Sequence, residues 1–323
     1  MKLIVQPDAG IAPIITAIKL ARKTIDIMIF RLDRIEVTRA LEAAVARGVA
    51  VRALIAHTNS GGERTLRKLE LRLLEQGVSV SRTADDLVRY HAKMFIIDRR
   101  VLHVYGFNFT GLDIERSRSF GLSTKNPKLV LEATRLFEAD LARQPYLPAS
   151  GRLIVSPETA RDRIAEFIRG ARRQLLIYDP KVSDPAMVRL LTERAAQGVD
   201  VRIIGRVAVK KAPLTAERYP GKRLHVRAIV RDGRQAFVGS QSLRKIELEQ
   251  RREVGIIASE RSVVKQIQSI FEEDWAETVA GRKAARKSRR QGGSTPARAI
   301  AAHDDRSRSR SRATSRTRRR TAG

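Results

Sequence analysis

Residues 91–98 read HAKMFIID, and residues 225–232 read HVRAIVRD. Each stretch sets a histidine two positions before a basic residue and closes on an aspartate: His91, Lys93 and Asp98, then His225, Arg227 and Asp232. On an extended strand, residues two apart point to one face, so His91 and Lys93 project together, as do His225 and Arg227. The apolar run 94–97 suits the strand that would anchor the first pair.

Outward from these two octapeptides the chain repeats itself. Residues 3–30, LIVQPDAGIAPIITAIKLARKTIDIMIF, realign without a gap on 153–180, LIVSPETARDRIAEFIRGARRQLLIYDP, at an offset of 150. Pro7 pairs with Pro157, Ile14 with Ile164 and Ala21 with Ala171, and the match runs on to Gly48-Val49 and Gly198-Val199. The octapeptides themselves are offset by 134, so the first half carries 16 extra residues, placed around 59–64. In each half a short strand (3–5, 153–155) precedes a helix with three- and four-residue apolar spacing. A second strand (24–30, 174–178), a helix closed by glycine and a third strand (49–56, 199–205) follow. Closing helices fall near Phe137 and Phe271. Strands alternating with helices predict an α/β fold: two homologous domains, each a mixed sheet flanked by helices, in a pseudo-two-fold arrangement. The expected boundaries are 1–147, 148–280 and a basic tail, 281–323. The tail lacks apolar periodicity and reads as disordered.

Of the 323 residues, 42% are hydrophobic, enough for two cores. The formal charge is +29; the tail holds 15 Lys/Arg against two Asp, which leaves about +16 on the rest. Such a surface attracts polyanions, whether nucleic acid or an anionic membrane, although it also suits solubility alone. There is no cysteine, which excludes disulfides and thiolate metal sites. No secretory leader and no membrane span are legible, so the expected location is the cytoplasm, with peripheral membrane attachment as the further option.

The paired octapeptides resemble the phospholipase D superfamily, whose His-x-Lys-x4-Asp motif stands once in each half of a duplicated chain. The resemblance implies a metal-independent, cofactor-free, two-step phosphodiester cleavage at one composite site. His91 would be the nucleophile that forms a phosphohistidine, and His225 the acid and base. Lys93 and Arg227, with Asn108 and Ser242, would hold the non-bridging oxygens, while Asp98 and Asp232 would be structural. Arg227 departs from the family's lysine; it reads either as a tolerated anion clamp or as the mark of a decayed site. The family's downstream pattern fits the second half, Gly239-Ser240-Gln241-Ser242 with Glu253 further on, so Glu253 is expected to orient His225. In the first half Tyr105-Gly106 and Ser119 replace the corresponding residues, which leaves His91 without a carboxylate unless Asp113 or Glu115 supplies one. His57 and His103 are expected as ordinary surface or loop residues, Asp85 and Asp86 as loop caps, and Trp275 as core.

Superfamily members include phospholipases, phosphatidyl transferases and nucleases. The expected activity is phospholipase D-type hydrolysis or transfer of a phospholipid's phosphatidyl group. The alternatives are cleavage of DNA or RNA, and a weakened protein that binds phosphate or nucleic acid without turnover. The chain is expected to act as a monomer whose halves form an internal pseudo-dimer, with the tail on nucleic acid or an anionic membrane surface.

Overall fold

The computed structural model describes residues 1–292 other than 60, 150, 210, 211 and 222, with side chains through 288. The first half runs β1 (Lys2–Gln6), α1 (Ala12–Leu20), β2 (Thr24–Ile29), α2 (Ile35–Ala46), β3 (Ala50–Ile55), α3 (Gly62–Glu75) and β4 (Ser79–Arg82). It continues through β5 (Arg89–Tyr90), β6 (Met94–Ile97), β7 (Val101–Tyr105), α4 (Gly111–Glu115), β8 (Ser119–Thr124) and α5 (Pro127–Leu141). The second half repeats the order with β9 (Leu153–Ser156), α6 (Ala160–Arg169), β10 (Gln174–Val182), α7 (Pro185–Ala196), β11 (Asp200–Val207) and β12 (Thr215–Glu217). There follow β13 (Arg227–Arg231), β14 (Gln235–Gly239), α8 (Lys245–Glu249), β15 (Arg251–Ala258), α9 (Arg261–Ala276) and α10 (Val279–Gly292).

Each half builds the same mixed sheet. The first is ordered β1-β8-β7-β6-β2-β3-β4; the second runs β12-β11-β10-β13-β14-β15, with β9 also on β15. Strands β2, β3 and β4 are parallel, like β10, β11 and β12, while the motif strands β6 and β13 join antiparallel. The glycines closing α2 and α7, Gly48 and Gly198, have φ of +82° and +84°, a left-handed turn that glycine makes without strain. The 16 extra residues of the first half are accommodated mainly by α3, which buries Leu66, Leu69 and Leu73 along one stripe.

Three apolar layers hold these elements. One core lies between the first sheet and α1, α2 and α3, and a second between the other sheet and α6, α7 and α8. The third is shared: Met94, Val104, Phe120 and Leu122 join Tyr178, Ala228, Val238 and Val254, with α5 and α9 closing the sides. Each large side chain buried there is worth about 1.5–3 kcal/mol, so the halves are welded rather than merely linked.

The weld includes backbone. Strand β5 pairs parallel with β15 of the other half, Arg89 opposite Arg251 and Tyr90 opposite Arg252. The reciprocal bridge joins Arg118 to Leu224. An offset of 134 carries one pairing onto the other. As a result the His91 N–H donates to the Arg252 carbonyl (2.7 Å) and the His225 N–H to the Arg118 carbonyl (3.0 Å). Each motif histidine is therefore held by the opposite half.

The tail expected from residue 281 needs correction at its start. Helix α10 extends from Val279 to Gly292, capped by Thr278, whose Oγ1 accepts the Gly281 N–H (3.1 Å). Alanine, arginine and lysine are good helix formers, so this stretch needs no apolar face to propagate from a capped start. The rest of the expected disordered tail, from 293, lies outside the described residues. Among the described residues no helix is long and apolar enough to cross a membrane.

Candidate active site

His91 follows β5 directly, and Lys93 sits two residues on, just before β6. Both pack around Phe30 at the end of β2: the His91 ring meets it edge-on at 4.4 Å, and Lys93 Nζ lies 5.5 Å from its centre. His91 Nδ1 is 2.8 Å from Glu253 Oε2, and Glu253 is fully buried on β15. Lys93 Nζ lies 2.8 Å from Nδ1 and 2.9 Å from Nε2 of the same ring. Burial, reinforced by the charges of Lys93 and Arg227, pushes His91 well below its ordinary pKa. Burial also lowers the Lys93 ammonium to about 7 and raises Glu253. A neutral imidazole that donates Nδ1–H to Glu253 keeps its lone pair on Nε2.

This pairing corrects the sequence-based expectation, which gave Glu253 to His225. Strand β15 turns this glutamate toward the first half, because the β5–β15 pairing sets residues 251–253 alongside residues 89–91. The carboxylate near His225 is instead Asp113 on α4, with Oδ2 3.5 Å from Nδ1. Asp113 Oδ2 also accepts from the Asn108 N–H (2.8 Å) and Nδ2 (2.7 Å), and Arg223 pairs with its other oxygen. Burial opposes ionisation of Asp113, but His225, the Asn108 amide and Arg223 together hold it at about 2. Glu115 is exposed and pairs with Arg34, away from either histidine.

In the second half Ser242 takes the place of Asn108, and its N–H donates to Glu247 (2.8 Å), the counterpart of Asp113. Arg227 reaches the Ser242 hydroxyl from Nε (3.4 Å) and the His225 carbonyl from Nη1 (3.1 Å). Burial and then the Arg227 charge depress His225 well below its ordinary pKa. Each histidine thus has its carboxylate from the opposite half, Glu253 for His91 and Asp113 for His225, so the two halves build one locus. Ser240 is fully buried, and its hydroxyl accepts the Val254 N–H (3.3 Å), next to Glu253.

The two motif aspartates stand apart from this locus. Asp98 accepts the backbone N–H groups of Arg22, Lys23 and Thr24 at 2.7–3.1 Å; Asp232 does the same for Arg172, Arg173 and Gln174. Both adopt positive φ, +52° and +54°, at the turn that ends the motif strand. His103 also differs from expectation: it is buried in β7, parallel to the Tyr105 ring, and burial lowers its pKa to about 4. His57 is exposed and lines a surface cavity of about 300 Å³ with Asp85, Val88, Arg89 and Tyr90. Asp86 accepts the Tyr90 hydroxyl proton (2.7 Å), and Trp275 packs in the shared core against Phe271.

Two residues that sequence reading passed over belong to the site. Phe30 gathers His91 and Lys93, and Arg89 stacks its guanidinium 5.4 Å from the same ring. The signal for Arg89 was present in the repeat, since Arg-x-His precedes both motifs (Arg89, Arg223).

Two like sheets whose histidines meet a carboxylate at a shared, cation-lined junction define a duplicated protein built to handle phosphodiesters. The chain belongs to the phospholipase D superfamily: the family described as "Cardiolipin synthase, PLD-like domain" matches residues 14–141 and 164–275. Members of that superfamily are phosphodiester-active enzymes. Among solved structures, polyphosphate kinase from Porphyromonas gingivalis matches with a TM-score of 0.69 at 21% identity. That match covers 84% of this chain, which spans only 49% of the kinase. Phosphatidylserine synthase from Haemophilus influenzae matches at 0.63 and 12% identity, over 90% and 93% of the two chains. These likenesses show the fold. No curated protein matches the chain.

Proposed function

We propose that the protein cleaves or transfers phosphodiesters by double displacement through a phosphohistidine on His91. The observation that carries this is the His91–Glu253 pair, which fixes the tautomer with a lone pair on Nε2. In the first step Nε2 attacks phosphorus, the bond to the departing alcohol breaks, and His225 gives that oxygen a proton. In the second, His225 takes a proton from water or an acceptor alcohol. The resulting oxygen nucleophile attacks phosphorus and the P–N bond breaks, returning His91 to its starting state. Lys93, Arg227, Asn108 and Ser242 hold the non-bridging oxygens. Asn108 Nδ2 keeps one N–H beyond the one given to Asp113, and the Ser242 hydroxyl keeps its own proton to donate. Ser240 and Glu253 position His91; Asp98 and Asp232 brace the motif strands.

For substrate we favour a phospholipid whose head group is released or exchanged. The matching family's description and the likeness to a phosphatidylserine synthase over 93% of its length support this. A nucleic-acid substrate is the second reading, favoured by the charge of about +16 outside the tail. Either way the domains would be 1–147 and 148–280, working as one unit.

The test is turnover by the full chain in EDTA. Phosphatidylcholine and phosphatidylglycerol vesicles would be offered beside single- and double-stranded DNA, with His91→Ala and His225→Ala as controls. Head-group release lost in both variants establishes the lipid reading, and DNA cleavage lost in both establishes the nuclease. Silence on every substrate refutes the enzyme.

A further inference from the structure

We propose that Arg89, with Arg251 opposite it, forms a second anion subsite beside His91, selecting substrates with another phosphate next to the scissile one. The proposal deepens the phosphodiesterase reading and rests on it for the role of the scissile phosphate. It begins with a break in the pseudo-symmetry. The offset of 134 carries Arg89 onto Arg223, Arg251 onto Ser117 and Glu247 onto Asp113. In the second half Arg223 is neutralised: Nη1 pairs with Asp113 and donates to the Ser117 hydroxyl (2.7 Å).

Around Arg89 the same positions do the opposite. Arg251 stands where the small Ser117 would be, in register with Arg89. The carboxylate that should match Asp113, Glu247, is already taken by Arg244 (3.0 Å) and Arg251 (3.3 Å). Among the described residues the Arg89 side chain has no ion-pair or hydrogen-bond partner, and its buried Nε is unsatisfied. Half-buried arginines opposite one another are costly without an anion between them. Burial and then the Arg251 charge lower the Arg89 pKa, against the opposing pull of Glu253 and Glu247.

Position ties this unspent cation to the chemistry. Arg89, His91 and Lys93 alternate along one extended segment and all pack on Phe30, at 5.4, 4.4 and 5.5 Å from its ring. Two residues of extended chain span about 7 Å, so Arg89 addresses a group one phosphate further along than the one His91 attacks. Arginine's planar fork suits phosphate oxygens. The ligand chemistry is thus a second phosphate, either the other half of a diphosphate head group or the next phosphodiester of a strand.

The test is calorimetry on the full chain with inorganic phosphate and inorganic pyrophosphate, comparing wild type with Arg89→Gln, Arg89→Lys and Arg72→Gln. Arg72 is exposed on α3 and controls for net charge. Wild type is expected to prefer pyrophosphate, and Arg89→Gln to shrink that preference about 10- to 100-fold. Arg89→Lys should keep part of it and Arg72→Gln all of it. Arg89→Gln should also melt no lower than wild type, since a side chain held for a ligand opposes folding in its absence. No pyrophosphate preference in wild type, or one unchanged in Arg89→Gln, overturns the subsite. Turnover then assigns the source, comparing TpT with pTpT and phosphatidylglycerol with a diphosphate-linked lipid. An Arg89-dependent preference in either pair supports the proposal and names the substrate; none in both overturns it. Failure of wild type to turn over any substrate sinks the catalytic reading, while calorimetry still decides the subsite.

Discussion

Glu253, on the last strand of the second half, grips the imidazole of His91 in the first half at 2.8 Å. The other motif histidine has a looser carboxylate, Asp113, at 3.5 Å. The two histidines are thus unequal despite their shared origin. Under the proposed mechanism the tighter pair belongs to the nucleophile, which needs a fixed tautomer, and the looser one to the group that must gain and lose a proton.

Glu253→Gln tests that inequality. The amide fills the same space but can present N–H to Nδ1 and stabilise the wrong tautomer. Turnover should fall about 10²- to 10⁴-fold, by analogy with triad carboxylates, with little change in folding. Steady-state kinetics beside a thermal melt would separate the two, and a loss under threefold would remove Glu253 from the mechanism.

Removing His225 should block the second step more than it blocks binding. With an activated substrate such as bis(p-nitrophenyl) phosphate, whose leaving group needs no acid, His225→Ala should release about one equivalent of nitrophenol and stall. Mass spectrometry should then find an acid-labile phosphoryl adduct on His91. His91→Ala should give no burst at all.

The pH profile follows from three depressed bases, Lys93, His91 and His225, the last of which the first step needs in its acid form. Lys93 carries its charge below about pH 7, and His91 stays neutral until well below 6.5. In kcat/KM, activity should therefore fall as His225 loses its proton below its ordinary pKa, fall more steeply above about pH 7 as Lys93 deprotonates, and fall again in acid as His91 is protonated. Bound phosphate favours charged Lys93, so the alkaline limb of kcat should lie higher than that of kcat/KM. Lys93→Arg should make the alkaline limb shallower, leaving the part due to His225, if the protein still folds, and an unchanged limb would remove Lys93 from it.

Asp98 should matter to stability rather than chemistry. Asp98→Ala strands three backbone N–H groups, and a loss of about 1–3 kcal/mol is expected in urea unfolding. These backbone hydrogen bonds outweigh the cost of burial and hold the Asp98 pKa below its ordinary value. Its stabilisation is therefore present above the unfolded carboxylate pKa and fades as pH falls through the folded one. The folded variant should retain most of its turnover.

Arg227→Lys restores the residue usual in the family. The lysine cannot reach both the Ser242 hydroxyl and the His225 carbonyl, yet it keeps the charge felt by both histidines. Turnover within about tenfold of wild type is expected, against about 100-fold loss in Arg227→Met. Equal activity in all three would mean that Arg227 has no part in holding phosphate.

Much of this was legible because it is local. Apolar periodicity placed β2, β3 and β11 within a residue or two and the start of β10, which runs four residues past its expected end, Gly48 and Gly198 marked helix ends, and motif spacing put Lys93 beside His91. What eluded sequence reading depends on pairing between distant segments. Nothing near Glu253 says which histidine it serves, since the answer lies in backbone bonds from β5 to β15. His103 was misplaced because a lone histidine looks polar, although its strand is apolar on both sides. The start of the tail was misread because charge masked its helix propensity.

The reciprocal backbone bonds, His91 to Arg252 and His225 to Arg118, make the site a property of association. A half-chain on its own would lack the rung that aims its histidine as well as the other histidine. If the gene were split in the linker near residue 148, the fragments should therefore be silent apart and active together. Their activity would rise with the product of the two concentrations, turning an enzyme into a reporter of encounter.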